Sequence, residues 1–490
     1  MNYNDIETIV AEPCASSMIL TFRAIGYNLE TAVADVIDNS ISANAKNVWF
    51  NSEWKGGESI ITILDDGCGM NNEELVQAMR PGAKNPMEER AEKDLGRFGL
   101  GLKTASFSQC KKLLVVSKKT GFAPIYWIWD LDYVHKTCKW ELIRYPISDE
   151  FLRVFDRLES GTLVVWTELD RIISLDTPIS NEIAKDKFLA QMDKVKQHLA
   201  MTFHRFIEEK NVKIHCWGHE IKPWNPFLLT ETATQPFPEE YIGEAVMKGY
   251  VLPHKCHLTE KTYQTAEGIN GWTNQQGFYV YRGKRLMIAG DWLGLFRKEE
   301  HYKLVRIQID LLNKLDSEWQ IDIKKSTARP PLVCREQIKS YAKTVRNQGV
   351  EVFRHRGKIL TTRKQQDFQP MWLEKRRGQK YSFIVNRDHT MIAELKRLAE
   401  TEPSRAIEYL LRFVEETVPT KSVFIRESER DETAEPFEET NLEVVKAMIK
   451  QIYNTQITAG KSIEQVKLLL ANMEPFNNFP ELIETIEEYD

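Results

Sequence analysis

Ile60-Ile61-Thr62-Ile63-Leu64-Asp65-Asp66-Gly67-Cys68-Gly69-Met70 is an apolar run that stops on two aspartates and two glycines. Such a run reads as a strand ending in a tight turn. An Asp held at a strand end can accept a hydrogen bond from an exocyclic amine such as adenine N6. Gly67 and Gly69 carry no Cβ, so their backbone can lie flat against a ring. Taken alone, the segment reads first as an ordinary Asp-Gly turn.

Upstream, Asn28 to Ala43 carries Leu29, Val33, Val36, Ile37 and Ile41 at helical spacing. Asp35 and Asn39 are four apart and lie on one helix face. A carboxylate and an amide oxygen stacked this way can steer a water and ligate a hard cation. Mg2+ takes oxygen ligands and keeps several waters, so one protein oxygen beside phosphates can suffice. The plainer reading is a solvated helix face. Downstream, Gly96-Arg97-Phe98-Gly99-Leu100-Gly101-Leu102-Lys103 leads into a helix. Its glycines let successive N–H groups point inward as an anion nest, and a helix start adds its positive end. No strand directly precedes it, so it is not the strand–turn–helix dinucleotide fingerprint. The residues before it, Arg80 to Asp94, are polar and charged and read as a mobile lid. A fourth piece, Gly161-Thr162-Leu163-Val164-Val165-Trp166, is a strand opening with Gly-Thr, whose hydroxyl can bind a base directly or through water. Helix with Asn, strand with Asp-x-Gly-x-Gly, Gly-rich lid and strand with Gly-Thr read together, in that order, as a nucleotide pocket.

These four segments resemble the boxes of the GHKL ATPase superfamily, the group of DNA gyrase B subunits, MutL, the ninety-kilodalton heat-shock chaperones, histidine kinases and MORC proteins. The resemblance implies an α+β chain. A Bergerat-type α/β sandwich ATPase module would occupy residues 1–180. A connector helix and a second α/β transducer domain would occupy 181–335, and a mainly helical C-terminal region 336–490. It implies ATP and Mg2+ as cofactors. On this resemblance Asn39 holds Mg2+, Asp65 reads adenine, and Gly67 and Gly69 line the base with Met70. Gly96, Gly99, Leu100, Gly101, Leu102 and Lys103 wrap the phosphates, and Thr162 supports the base. One departure matters. Hydrolysing members usually carry Glu where this chain has Asp35, one turn before the Asn. Asp can serve as a general base, but it reaches one methylene less far, and the acceptor must come within hydrogen-bond reach of the attacking water. The expectation is an ATPase, releasing ADP and phosphate slowly.

The totals bound the rest. A length of 490 residues is a prior of about three domains. A net charge of −5 gives no global basic field, so nucleic-acid binding would need a local patch. The seven cysteines are scattered, with no Cys-x-x-Cys, which is the usage of a reducing cytosol. No apolar run approaches the ~20 residues that span a membrane, and Met1 to Glu12 is polar and acidic, unlike a signal peptide. A cytoplasmic protein without a membrane partner is expected.

Along the chain, Ser16 or Ser17 is placed to cap a first helix. Asn181 to Lys210 reads as one long helix with Phe188, Met192, Val195, Leu199 and Phe203 as its stripe, a core-facing connector. Residues 211–333 alternate strands with turns: Val212–Ile214, a turn at Gly218, Tyr241–Leu252, Gly277–Leu286, Val305–Asp310 and Trp319–Ser326. This resembles the transducer domain of MutL, gyrase B and MORC proteins, in which a loop lysine reaches back to the terminal phosphate. That role falls on Lys325, with Lys324 as runner-up; an ammonium facing a phosphate stabilises developing charge. Two solvated lysines are the plain alternative. His219-Glu220-Ile221-Lys222-Pro223 is similar to a histidine-kinase phosphoacceptor box, but it follows the ATPase module where kinases place it before. His215, Cys216, His219, His254, Cys256 and His257 lack the spacing of a zinc finger.

Glu336 to Lys358 reads as helix. Arg354, Arg356, Lys358, Arg363, Lys364, Lys375, Arg376, Arg377 and Lys380, interleaved with Phe368, Trp372 and Tyr381, form the densest basic stretch. It is a candidate DNA-tracking patch or a solvated face. Glu427 to Glu443 is an acidic linker. Leu442–Tyr453 and Ile463–Leu470 are amphipathic helices suited to protein partners. The functional expectation is an ATP-gated homodimer. ATP closes the lid, the N-terminal modules dock, and Lys325 couples phosphate state to the transducer, the γ-phosphate supplying the differential contact. The MutL- and MORC-like transducer points to DNA, reached through residues 354–380, and the resemblance suggests bacterial restriction or phage defence. The alternative, of another class, is a chaperone-like or scaffold protein that binds ATP and holds protein partners.

Overall fold

The structure, a computed structural model, describes residues 9, 12–83, 101–316, 318–322, 327–354, 372–377, 380–420, 423, 432–433, 437, 440–473, 476 and 479–486. The chain forms two compact units, Met1–Ile359 and Leu360–Asp490.

Alternation of apolar side chains builds the first sheet. Its strands are β1 (Asn47–Glu53), β2 (Ile60–Asp65), β3 (Lys112–Lys118), β4 (Ile125–Asp130), β5 (Gly161–Thr167), β6 (Lys213–Cys216) and β7 (His219–Glu220), in the order β4-β3-β5-β2-β1-β6-β7. Only β1 and β6 run parallel. Leu113 and Val115 of β3 enter one core with Val164 and Trp166 of β5, while Leu114 and Val116 enter another with Leu163 and Val165. That is the two-residue period of a sheet covered on both faces. The larger core is roofed by α1 (Ala15–Ala24), α2 (Leu29–Ser42), α4 (Gly101–Phe107) and α7 (Glu182–Thr202). Between them in sequence lie α3 (Asn72–Met79), α5 (Leu131–Thr137) and α6 (Asp149–Arg153). Phe151 and Leu152 of α6, with Phe155 just after it, close the smaller core.

α2 starts where its apolar spacing starts: Asn28 accepts the Thr31 N–H at 2.9 Å as N-cap. α1 departs from expectation. Its N-cap is Cys14, with no side-chain cap, and Ser16 Oγ bonds instead to His135 Nδ1 at 2.8 Å. The single helix expected over 181–210 is also corrected. α7 ends at Thr202, Phe203 leaves helical geometry (φ −107°, ψ 14°), and a short α8 (His204–Glu208) follows. The break buries Phe203 in the first core and lets His204 Nε2 meet Tyr281 Oη at 2.8 Å.

The second sheet is β11-β10-β12-β9-β8, from β8 (Gln235–Ile242), β9 (Ala245–Val251), β10 (Gly277–Arg282), β11 (Arg285–Asp291) and β12 (Val305–Leu311). Tyr241–Leu252 and Gly277–Leu286 are therefore each the two arms of a hairpin. The second turns at Gly283 and Lys284 with φ of 52° and 72°, the positive pair of a type I′ turn. Of the strand expected over Trp319–Ser326, the described part, Trp319–Asp322, is not strand: Glu318–Gln320 form a turn, with Gln320 at φ 47° and Trp319 buried. Lys324 and Lys325 lie outside the described residues. α9 (Glu260–Glu267) and α10 (Gly271–Asn274) precede β10. α11 (Leu332–Arg354) packs on this sheet, its Tyr341 Oη accepting the Gly249 N–H at 2.8 Å and donating to the Pro238 carbonyl at 2.7 Å.

In the second unit, β13 (Trp372–Arg377), β14 (Lys380–Val385) and β15 (Glu432–Thr433) form a small sheet beside α12 (Thr390–Thr401) and α13 (Pro403–Thr417). Helices Leu442–Thr458, Ile463–Ala471 and Pro480–Glu484 share a core of Val445, Ile449, Val466, Leu470 and Ile483. Of the basic stretch, Arg356, Lys358, Arg363 and Lys364 lie outside the described residues, as does most of the acidic segment 427–443. Among the described residues no helix is long and apolar enough to cross a membrane.

Candidate functional site

Asp65 closes β2 at the centre of the first sheet, between β1 and β5, so three stretches of chain deliver groups to it. Ser40 Oγ donates to Oδ2 at 2.8 Å, while the Gly67 and Thr162 N–H groups donate to Oδ1 at 2.9 and 3.3 Å. Burial raises the carboxyl above its ordinary range, and these three donors pull the other way. A carboxylate offers about four acceptor positions. Three are taken by described residues, which leaves one on Oδ2 for an incoming N–H. Ser117 ties the neighbouring strand ends together. Its hydroxyl accepts the Met70 N–H at 2.9 Å and lies 2.9 Å from Thr162 Oγ1 and 3.1 Å from the Gly161 carbonyl. Glycine is required here by protein packing. At Gly69 (φ 62°) a Cβ would lie 1.8 Å from the Lys118 carbonyl oxygen, and at Gly67 it would lie 2.8 Å from Ala43 Cβ.

One helix away, Asn39 is exposed and its Nδ2 donates to the Asp35 carbonyl at 3.2 Å. That bond leaves Oδ1 as an acceptor for a cation. Asp35 is buried. Its Oδ2 accepts from Tyr27 Oη at 2.8 Å, and its Oδ1 from Arg285 Nη2 at 3.2 Å. Arg285 Nε donates to Asp38 Oδ1 at 2.8 Å. Burial pulls the Arg285 pKa down, but the Asp38 and Asp35 carboxylates outweigh it and the net shift is upward. Burial, then the Asp35 charge, pushes the Tyr27 phenol far above its usual value. Burial, then the Arg285 charge, pushes His198 of α7 down to about 4. Sequence reading found Asp35 and missed Arg285. The two are 250 residues apart, and no local pattern joins them.

Gly101, Leu102 and Lys103 open α4 against α2. A Cβ on Gly101 would lie 3.8 Å from Asp35 Oδ2, so this oxygen faces the start of α4. Lys103 is buried, and its Nζ donates to the Ala78 carbonyl at 2.9 Å. Asp35, Asn39, Asp65, Gly67, Gly69, Met70, Gly101, Leu102, Lys103 and Thr162 thus gather at the ends of β2 and β5 and on the adjoining helices. Gly96, Gly99 and Leu100 lie outside the described residues. Among the described residues no three His, Cys, Asp or Glu side chains could hold a metal ion together. His219 sits on β7, after a turn at Trp217 and Gly218, and His215 stacks on Trp49.

Residues 27–162 match the family described as histidine kinase-, DNA gyrase B-, and HSP90-like ATPase. ATPase morc-1 of Caenorhabditis elegans is 32% identical over 91 residues, 19% of this chain and 10% of that protein. DNA mismatch repair protein MutL of Clostridium beijerinckii is 41% identical over 59 residues, 12% of this chain and 9% of that protein. MutL of Methanothrix thermoacetophila is 33% identical over 100 residues, 19% of this chain and 17% of that protein. The chain thus spans only 9% to 17% of the length of these relatives. The ATPase and transducer domains of DNA topoisomerase II from Balamuthia mandrillaris align over 69% of this chain and 86% of that one, at a TM-score of 0.38 and 11% identity. That likeness is too distant to assign residue roles. The matched segment runs from Tyr27 to Thr162 and so contains Asp35, Asn39 and Asp65. On that match and on the order of its boxes, the module at residues 27–162 belongs to the GHKL ATPase superfamily.

Proposed function

We propose that this chain binds ATP with Mg2+ at the Asp65 cluster, hydrolyses it slowly, and works as an ATP-gated homodimer that acts on DNA in the cytoplasm. The observation that carries the reading is the remaining acceptor position on Asp65 Oδ2, in a buried carboxylate otherwise satisfied by Ser40, Gly67 and Thr162. It suits an amine donor such as adenine N6. Asn39 Oδ1 would hold Mg2+, whose charge would offset that of the phosphate oxygens when bound. Asp35 would take the proton of the attacking water on Oδ2, the oxygen nearest Gly101. Its short side chain, with both oxygens already engaged, supports slow turnover. Lys325, or Lys324 beside it, carries over from the resemblance as the sensor of the terminal phosphate.

The DNA client draws on the MutL relatives, named as DNA mismatch repair proteins, and on the basic stretch 354–380. A part in bacterial restriction or phage defence rests on the resemblance alone. Exposed Ile407, Leu410 and Leu411 on α13 favour the second reading, a scaffold or chaperone-like protein with a protein client. Light scattering on size-exclusion peaks tests the proposal, with and without a non-hydrolysable ATP analogue and duplex DNA. The analogue should double the mass, and DNA should co-elute at low salt. A monomer under every condition contradicts the gated dimer, and a nucleotide-dependent dimer that never holds DNA favours the scaffold.

A further inference from the structure

The second sheet sends one element into the nucleotide module. Three of the four residues from Arg282 to Arg285, at the tip of the β10–β11 hairpin, are cations, and each meets a carboxylate. Arg282 Nε pairs with both Asp316 oxygens at 2.8 and 2.9 Å, inside its own domain. Lys284 meets Glu209 at 2.5 Å in a half-exposed pair. Arg285 alone enters the core of the first module, reaching Asp38 at 2.8 Å and Asp35 at 3.2 Å. The Arg285, Asp35 and Asp38 side chains are 4%, 1% and 2% exposed.

A half-exposed pair fixes little. A buried one persists only when its geometry satisfies every charge, because removing either partner leaves the other stranded. Asp35 and Asp38 are three apart on α2 and face the same guanidinium. Arg285 also fixes Oδ1, while Tyr27 fixes Oδ2 on the side of Gly101. Tyr27, which bonds Asp35 Oδ2, comes from the first module. Tyr27 precedes α2, Asp38 is on α2 and Lys103 is on α4. His198 of α7 faces Arg285 and is neutral at neutral pH. Asp65 stands across β2, bonded to Ser40.

We infer that Arg285 is the positioning residue through which the second domain sets the hydrolytic step: it holds the Asp35 carboxylate in the orientation that the step needs. The inference rests on reading Asp35 as the general base. Movement of the β10–β11 hairpin thereby reaches the hydrolytic step directly, by a route separate from any lysine at the phosphate.

The test compares kcat and KM for phosphate release from Mg-ATP with the affinity for a non-hydrolysable ATP analogue. Four variants are compared with the parent: Arg285→Met, Arg285→Lys, Asp35→Asn, and the double change Asp38→Asn with Arg285→Gln. The double change keeps the local net charge, so it guards against loss of folding in Arg285→Met. Arg285→Met and the double variant should lose rate about ten-fold at neutral pH. Each should keep KM and analogue affinity within about two-fold of the parent's. Arg285→Lys keeps the cation and should recover most of the lost kcat. A purely structural role would weaken analogue binding along with kcat, with no recovery in Arg285→Lys. If Asp35→Asn is inactive and Arg285→Met and the double variant either keep the parent's kcat or lose analogue affinity as far as kcat, the positioning role falls and the base reading stands. If Asp35→Asn hydrolyses like the parent, both fall.

Discussion

His198 sits on α7 near Arg285, where burial, then the guanidinium charge, holds its pKa down to about 4. In an unfolded chain the same ring titrates near 6.5. Below that pH the unfolded state takes up a proton that the folded state refuses, so stability is full above pH 6.5 and falls as pH drops toward 4. Linkage gives about 2 kcal/mol at pH 5 for a wholly buried ring, and roughly 1–2 kcal/mol once partial exposure is allowed for. Urea unfolding at pH 7 and pH 5 checks this. The parent should lose about 1–2 kcal/mol more than His198→Gln between the two; equal losses would count against a neutral buried ring. At this scale much of the site was legible. Asp65, Gly67, Gly69 and Asn39 carry their chemistry in short local patterns. Arg285 does not, because a contact between a hairpin tip and a helix 250 residues earlier leaves no periodicity behind.

Among elements, the most legible were those with strong period and local caps. α2 follows its apolar spacing and its Asn28 cap, and β5 opens at Gly161-Thr162, where a strand was expected to begin. The misreadings share a cause: the chain turns without its usual punctuation. Gly283-Lys284 is not Asn-Gly, and Lys284 adopts φ 72° with its ammonium on Glu209. α7 breaks at Phe203, with neither Gly nor Pro, because burying that ring in the core outweighs continuing the helix. Packing of α11 shows the same override. Gly349 lies inside that helix, and a Cβ there would lie 2.4 Å from Val305 Cγ2 on β12. Ala improves helix propensity by about 1 kcal/mol, whereas overpacking costs about 1–3 kcal/mol. Gly349→Ala should therefore destabilise the protein by about 1 kcal/mol. Combined with Val305→Ala it should lose less than the sum of the two single changes, by at least about 0.5 kcal/mol. Strict additivity in urea unfolding would show that this contact does not set the helix position.

Across the first compact unit, two sheets are fastened by charge as well as by apolar packing. Arg285 is buried among the α2 carboxylates, Lys284 meets Glu209, Arg205 pairs with Asp310, and His204 bonds Tyr281. A nucleotide module joined this firmly to its neighbour is suited to passing on the state of a bound phosphate. All of this depends on nucleotide sitting at the end of β2, against Asp65. Calorimetric titration of a non-hydrolysable ATP analogue with Mg2+ tests that directly, in the parent and in Asp65→Asn, with matched thermal melts to confirm folding. Loss of one hydrogen bond to a buried charge is worth about 1.5–3 kcal/mol, so Asp65→Asn should bind roughly ten- to a hundred-fold more weakly. Equal affinity in the two proteins would place the nucleotide elsewhere and contradict the account.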